Sequence, residues 1–268
     1  MDLSLSHSQE MLKNEARNVV QREFPKDVLL KLDETDTGCT PELWQGMAEM
    51  GWLGMAIPEQ YGGTGSSLTD AGVLFEELGR GPVPGPLFSS GILGSLIVME
   101  AGSEEQKKQV LPAVAQGKQV LALALTEQTY GWEPEAVHLT AKAGRGGFVL
   151  DGLKLFVQDA VGATHLICAA RTGRGADPAR NITLFLVDKL APGVSVRPLP
   201  GFVAQAGEVK LESAVLPQSS VLGEVGGGWP TLERAIEKAI PVLCAYKVGA
   251  CQALFDISVA YSQTRVQF

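Results

Sequence analysis

Apolar positions change their spacing twice along this chain. At first they recur every three to four residues: Leu12, Ala16, Val19, Val20 and Phe24 fall on one side of a helix. Thr40-Pro41-Glu42 reads as a helix start, a hydroxyl cap followed by proline at the first helical position, and Gly51 as its stop. Ser67 is placed to cap a helix through Leu78, with Gly79 closing it. Ser103 and Gln106 form a capping box for a helix over 104–115. Between them lies a turn-rich loop, Ile57-Pro58-Glu59-Gln60-Tyr61-Gly62-Gly63. These signals predict a helical domain over 1–118.

From Lys118 the period shortens. Segments 119–126, 137–143, 147–151, 153–158, 165–171, 182–188, 194–199 and 207–215 are short and rich in Val, Leu, Ile and Phe, with Gly, Pro and Asp between them. Strands with no helices between them predict a β-barrel or sandwich over 119–228, not a parallel α/β sheet. After Gly226-Gly227-Gly228-Trp229-Pro230 the helical period returns. Leu232, Ile236, Ile240, Leu243, Tyr246, Lys247 and Ala250 are expected on one face, and Pro241 is expected to kink or split the run. Residues 229–268 read as the beginning of a C-terminal helical domain. Helical character reaches Phe268 with no capping residue, so the expectation is a truncated domain or an end covered by another chain. The expected class is α+β: an all-α domain, a β-barrel or sandwich, then the first part of a helical bundle.

Composition narrows the function. With 45% hydrophobic and 19% charged residues, the chain can bury a core. A net charge of −8 without a basic run excludes a nucleic-acid surface, which needs clustered Lys and Arg. Cys39, Cys168, Cys244 and Cys251 form no CxxC, which argues against zinc and a disulfide framework and for buried neutral thiols. The N-terminus has no apolar signal core, and nowhere do eighteen apolar residues run together. A cytoplasmic protein with no integral membrane segment is expected. His7, His138 and His165 lack metal spacing. Glu76 and Glu77 point about 100° apart on a helix, so they make no catalytic pair. The glycines from Gly223 to Gly228 lack the Lys-Ser/Thr of a phosphate loop and read as a turn before a helix.

Two peptides carry the chemistry. Leu123 to Pro134 (LALTEQTYGWEP) is an apolar strand ending in Thr126 and Glu127, then a loop centred on Gly131. Gly152 to Ala160 (GLKLFVQDA) is an apolar strand centred on Phe156-Val157-Gln158. Strand ends that present a hydroxyl, an aromatic ring and an amide can frame a flat heteroaromatic ligand. Glu127, a strand-end carboxylate, reads as solvated or capping, not as a general base.

Both peptides resemble the flavin-binding strands of the acyl-CoA dehydrogenase family. Trp44 to Gly65 (WQGMAEMGWLGMAIPEQYGGTG) is similar to its N-terminal signature, and Phe75-Glu76-Glu77-Leu78-Gly79 follows as in the family. Arg265-Val266-Gln267-Phe268 resembles its Arg-x-x-Phe-Gly motif, cut before the glycine. The resemblance implies FAD as cofactor and α,β-dehydrogenation of an acyl-CoA thioester: a glutamate takes the Cα proton while hydride leaves Cβ for flavin N5. It implies electron-transferring flavoprotein as acceptor and a homodimer or homotetramer, with a heteromer as the alternative. By position, Leu123, Leu125 and Thr126 would line the flavin, Gly131 would admit the pyrophosphate, and Phe156, Val157 and Gln158 would lie beside the ring. Arg265, Gln267 and Phe268 would reach the FAD of a neighbouring subunit.

Three positions depart from the family. Trp132 stands where it usually has Ser. Phe156-Val157-Gln158 replaces Trp-x-Thr or Trp-x-Ser, so the hydroxyl near N5 is lost. Ala239, two residues before Pro241, stands where a minority of members carry the base, and most carry it in a part of the C-terminal domain beyond this sequence. Three readings follow: a truncated enzyme lacking its base, a non-catalytic subunit that completes another chain's FAD site, or a scaffold that has lost FAD.

Overall fold

The computed structural model describes residues 4–201 and 205–267. Helix α1 (His7–Glu23) opens on a capping box between Ser6 and Gln9 and buries Ala16, Val19 and Val20. A short α2 (Lys26–Asp33) follows Pro25. Helix α3 (Pro41–Glu49) is capped by Thr40, whose hydroxyl accepts the Leu43 N–H, and Gly51 beyond it is left-handed at φ 75°. Helix α4 (Leu68–Arg80) starts on a Ser67–Asp70 capping box. A π-type turn over Leu87–Gly94 leads into α5 (Ser95–Ala101), and α6 (Glu104–Ala115) opens on the Ser103–Gln106 box.

Gly79 does not close α4, which runs one residue past it. A Cβ at Gly79 would sit 1.9 Å from the Tyr246 carbonyl oxygen. The glycine is there for the contact, not for a left-handed turn. On the other side of the crossing, a Cβ at Gly249 would sit 1.8 Å from the Glu76 carbonyl oxygen.

The middle of the chain forms β1 (Leu121–Ala124), β2 (Thr140–Gly144), β3 (Gly147–Gln158), β4 (His165–Arg171), β5 (Ile182–Asp188), β6 (Val194–Leu199), β7 (Ala206–Pro217) and β8 (Val221–Leu222). They make one sheet in the order β6-β7-β3-β2-β4-β5-β8, with β1 pairing β4 in parallel. The sheet curls round its own core, which includes Ala122, Leu150, Val157, Cys168, Phe185 and Val209. The two segments expected at 147–151 and 153–158 are one strand, interrupted by register shifts at Leu150/Gly152 and Lys154/Val157.

Helix α7 (Gly228–Thr264) is one unbroken helix, so Pro241 does not split it. Its buried face is Trp229, Leu232, Ala235, Ala239, Val242 and Gly249. Ile240, expected on that face, is 48% exposed. Close approach to α4 selects the small residues of α7, and the larger Ile240 turns outward. These residues share a core with α1–α6 and with the outer side of β1, β4 and β5. Cys168 is buried and Cys39 partly so, but Cys244 and Cys251 are exposed on α7, correcting the expectation of buried thiols. Among the described residues α7 is long and apolar enough to cross a membrane by length and composition, although Leu232, Ala235, Ala239 and Val242 bind it to the core.

Candidate functional site

Strand β3 holds the two flavin-like peptides together. Leu155 N donates to Thr126 O at 2.9 Å, which ties the end of β3 to the segment after β1. Beneath this link Lys154, 0% exposed, donates from Nζ to Glu127 Oε1 at 2.7 Å and to Leu125 O at 3.1 Å. Glu127 also accepts the backbone N–H groups of His138 and Leu139. Its carboxylate is saturated with donors, so it is structural. Sequence reasoning missed Lys154. The signal was a lone charge in the apolar run Gly152-Leu153-Lys154-Leu155-Phe156-Val157.

Next along β3 the register shift reverses which side chains point inward. Phe148, Leu150 and Lys154 are buried, then Val157 and Asp159. Strict alternation would bury Phe156. Instead Phe156 takes φ 51°, a left-handed conformation uncommon for a bulky residue, and points out at 50% exposure. Its ring lies 5.5 Å from that of Tyr130, which is also left-handed and 61% exposed. Phe156 and the segment carrying Thr126 therefore meet at one corner of the sheet, with Tyr130 as a second ring. Tyr130 was not predicted.

The other predicted residues divide. Leu123 packs beneath the corner against the helical core, and Leu125 is part of that core. Val157 is spent in the sheet core, so only its backbone can meet a ligand. Gln158 lines a cavity of about 610 Å³ bounded by α2, α4, the Pro82–Phe88 segment and α7. Thr126 is half-buried, and its hydroxyl has no partner among the described residues. Gly131 is held against Ala136. Trp132 is 69% exposed, and its backbone N–H donates to Glu133 Oε2 at 3.0 Å. Arg265 and Gln267 lie at the exposed end of α7, where the guanidinium stands 5.9 Å from the Tyr261 ring centroid. Phe268 lies outside the described residues. Ala239 is packed in the core.

The donor set fits a tricyclic ring at the corner: a free hydroxyl, two exposed aromatic faces and an adjoining amide. The fit is poorer at the phosphate loop, where Glu133 takes an amide and adds negative charge. The cavity also holds Asp159. Burial raises its carboxyl to about 6, opposed by the Ser89 hydroxyl that donates to Oδ2 at 2.5 Å. Burial likewise pushes the neighbouring Cys39 thiol up to about 12.

Residues 6–118 match the family model described as acyl-CoA dehydrogenase, N-terminal domain, and residues 122–212 match acyl-CoA dehydrogenase, middle domain. The chain is 29% identical over 275 residues to the acryloyl-CoA reductase (NADH) of Anaerotignum propionicum, covering 100% of this chain and 69% of that protein. It is 32% identical over 263 residues to the mitochondrial long-chain specific acyl-CoA dehydrogenase of Sus scrofa, covering 94% of this chain and 60% of that one. Among solved structures, the glutaryl-coenzyme A dehydrogenase glutaryl-CoA complex superposes with a TM-score of 0.91 at 27% identity, covering 100% of this chain and 69% of that chain. The FAD complex of PigA superposes at 0.88 and 26% identity, covering 100% and 71%.

Proposed function

Because the chain belongs to the acyl-CoA dehydrogenase family, we propose that it holds FAD and the acyl part of an acyl-CoA thioester for oxidation between Cα and Cβ, with an electron-transferring flavoprotein as acceptor. The observation that carries this reading is the corner where Phe156 is turned out of the sheet beside the unbonded Thr126 hydroxyl. A sheet with no ligand to meet gains nothing from a left-handed aromatic exposed to water.

FAD, when bound, supplies the hydride acceptor. The residues of the chain do the positioning. Thr126 Oγ1 hydrogen-bonds the edge of the ring, while Phe156 and Tyr130 wall it and exclude water. Gln158 places its amide between ring and cavity, where the family's usual hydroxyl would stand. Leu123 and Leu125 back the strand, and Gly131 keeps the backbone close to the phosphates. Arg265 and Gln267 are directed to the cofactor of a neighbouring copy. The 610 Å³ cavity, walled by Phe75, Phe88 and Leu243, receives the acyl group. Ala239, two residues before Pro241, carries no carboxylate, so removal of the Cα proton is not assigned to that position. The chain spans between 60% and 69% of the two relatives named above.

The test is reconstitution. The purified chain incubated with FAD should retain flavin through gel filtration, with absorbance near ~450 nm. Thr126→Val should weaken retention about tenfold, the loss of one hydrogen bond in a water-poor site. A colourless protein at saturating FAD would overturn the reading.

A further inference from the structure

A cavity for a plain acyl chain needs no polar atom inside it. This one has one. Asp159 is 3% exposed, lines the cavity, and uses Oδ2 to accept from Ser89. Its Oδ1 has no hydrogen-bond partner among the described residues and opens onto the cavity. The backbone fixes this aim. Asp159 is left-handed at φ 59°, and its N–H donates to Gln205 O at 2.7 Å. Gln158 and Gln205 line the same cavity; Gln158 is exposed, whereas Gln205 is half-buried and its side-chain amide makes no hydrogen bond among the described residues. The charged lining residues Lys26 and Asp33 are exposed and therefore solvated.

We propose that Asp159, with Gln205, forms a polar subsite that selects an acyl-CoA whose acyl group carries a hydroxyl. This rests on the reading of the cavity as the acyl site. The chemistry separates a hydroxyl from its rivals. A hydroxyl donates to Asp159 Oδ1 and at the same time accepts from a glutamine amide, so both unpaired partners are used. An ammonium would satisfy the carboxylate and leave the Gln205 amide unpaired. A methylene would leave the carboxylate oxygen desolvated with no donor, the more costly mismatch.

The test compares acyl-CoAs of equal chain length that differ by one hydroxyl, placed at successive carbons beyond Cβ, titrated calorimetrically into the FAD-incubated chain. At least one positional isomer should bind about tenfold tighter than the unsubstituted chain. In Asp159→Ala that preference should vanish while the unsubstituted acyl-CoA binds as well as before or better. Ser89→Ala, which leaves Oδ1 in place, should keep part of it and guards against a folding defect in the first variant. Equal affinity across the series, with the unsubstituted compound bound, would overturn the hydroxyl subsite alone. Tighter binding of an ω-amino acyl-CoA than of every hydroxylated isomer would also overturn it. Failure of every acyl-CoA to bind would overturn the acyl reading together with the subsite.

Discussion

At the scale of single residues, a buried ion pair and a buried carboxyl near the corner have opposite consequences. The Glu127–Lys154 pair is shared with two backbone amides, so its members are not equivalent. Glu127→Ala strands the Lys154 ammonium and two N–H groups at once and should cost about 3–5 kcal/mol, the range for breaking a buried pair. Lys154→Met leaves the carboxylate its two amides and fills the space, so it should cost distinctly less. Urea denaturation of both variants checks the order, and equal losses would mean the amides contribute nothing. Asp159 works the other way. Its carboxyl is at about 6 in the folded chain against 3.8 for an ordinary aspartate, so the folded state binds the extra proton. Its contribution to stability is therefore greatest below pH ~4 and is lost as pH rises through about 6, a penalty of roughly 3 kcal/mol at neutral pH. Asp159→Asn should raise the melting temperature at pH 7.5 and leave it nearly unchanged at pH 4. A variant no more stable at pH 7.5 would show that the carboxylate is solvated. A group kept at such a cost is what a binding site, not a core, retains.

At the scale of elements, a helix-interior glycine is ordinarily a weakness of about 1 kcal/mol against alanine. Two glycines test how far packing reverses that rule. Gly46 in α3 has nothing within 4 Å of where a Cβ would stand, whereas Gly249 in α7 has the Glu76 carbonyl at 1.8 Å. Gly46→Ala should therefore stabilise by about 0.5–1 kcal/mol. Gly249→Ala should destabilise by several kcal/mol, because backbone cannot yield as a side chain can. Calorimetric melting of the two variants should show opposite signs, and a stabilising Gly249→Ala would mean that the α4–α7 crossing is loose. The same contrast explains what the sequence disclosed. Caps at Thr40, Ser67 and Ser103 act within four residues and were legible, whereas α1 was located by its periodicity and its Ser6 cap went unread. Strands β4, β5 and β6 were legible to the residue because turns bound them closely. Gly79 misled because its purpose lies more than 160 residues away, at Tyr246. Phe156 was identified by kind and place, but its outward turn depends on a register shift against β7 that no local pattern encodes.

For the whole molecule, the helical layer and the sheet are joined by one core that runs from Ala16 in α1 to Val242 in α7, and stability along α7 should follow that core. From Leu232 to Gly249 the helix lies against α4 and α5, with Ala239 and Val242 buried. Beyond Cys251 the side chains open to solvent: Leu254, Phe255, Ile257 and Tyr261 are all exposed. The described side-chain tie from this stretch back to the body is the Arg80–Asp256 ion pair at 2.7 Å, both partners partly exposed. Such a pair contributes at most about 1 kcal/mol, too little to hold the last turns of a helix whose large apolar side chains are exposed among the described residues. Amide exchange should therefore be graded along a single unbroken helix, slow from Leu232 to Gly249 and faster from Leu254 onward, with Arg80→Ala changing little. Uniform slow exchange to Thr264 in dilute monomer would show that helix propensity alone holds the segment. Slow exchange that appears only as concentration rises would instead trace its protection to the apolar face meeting a second copy.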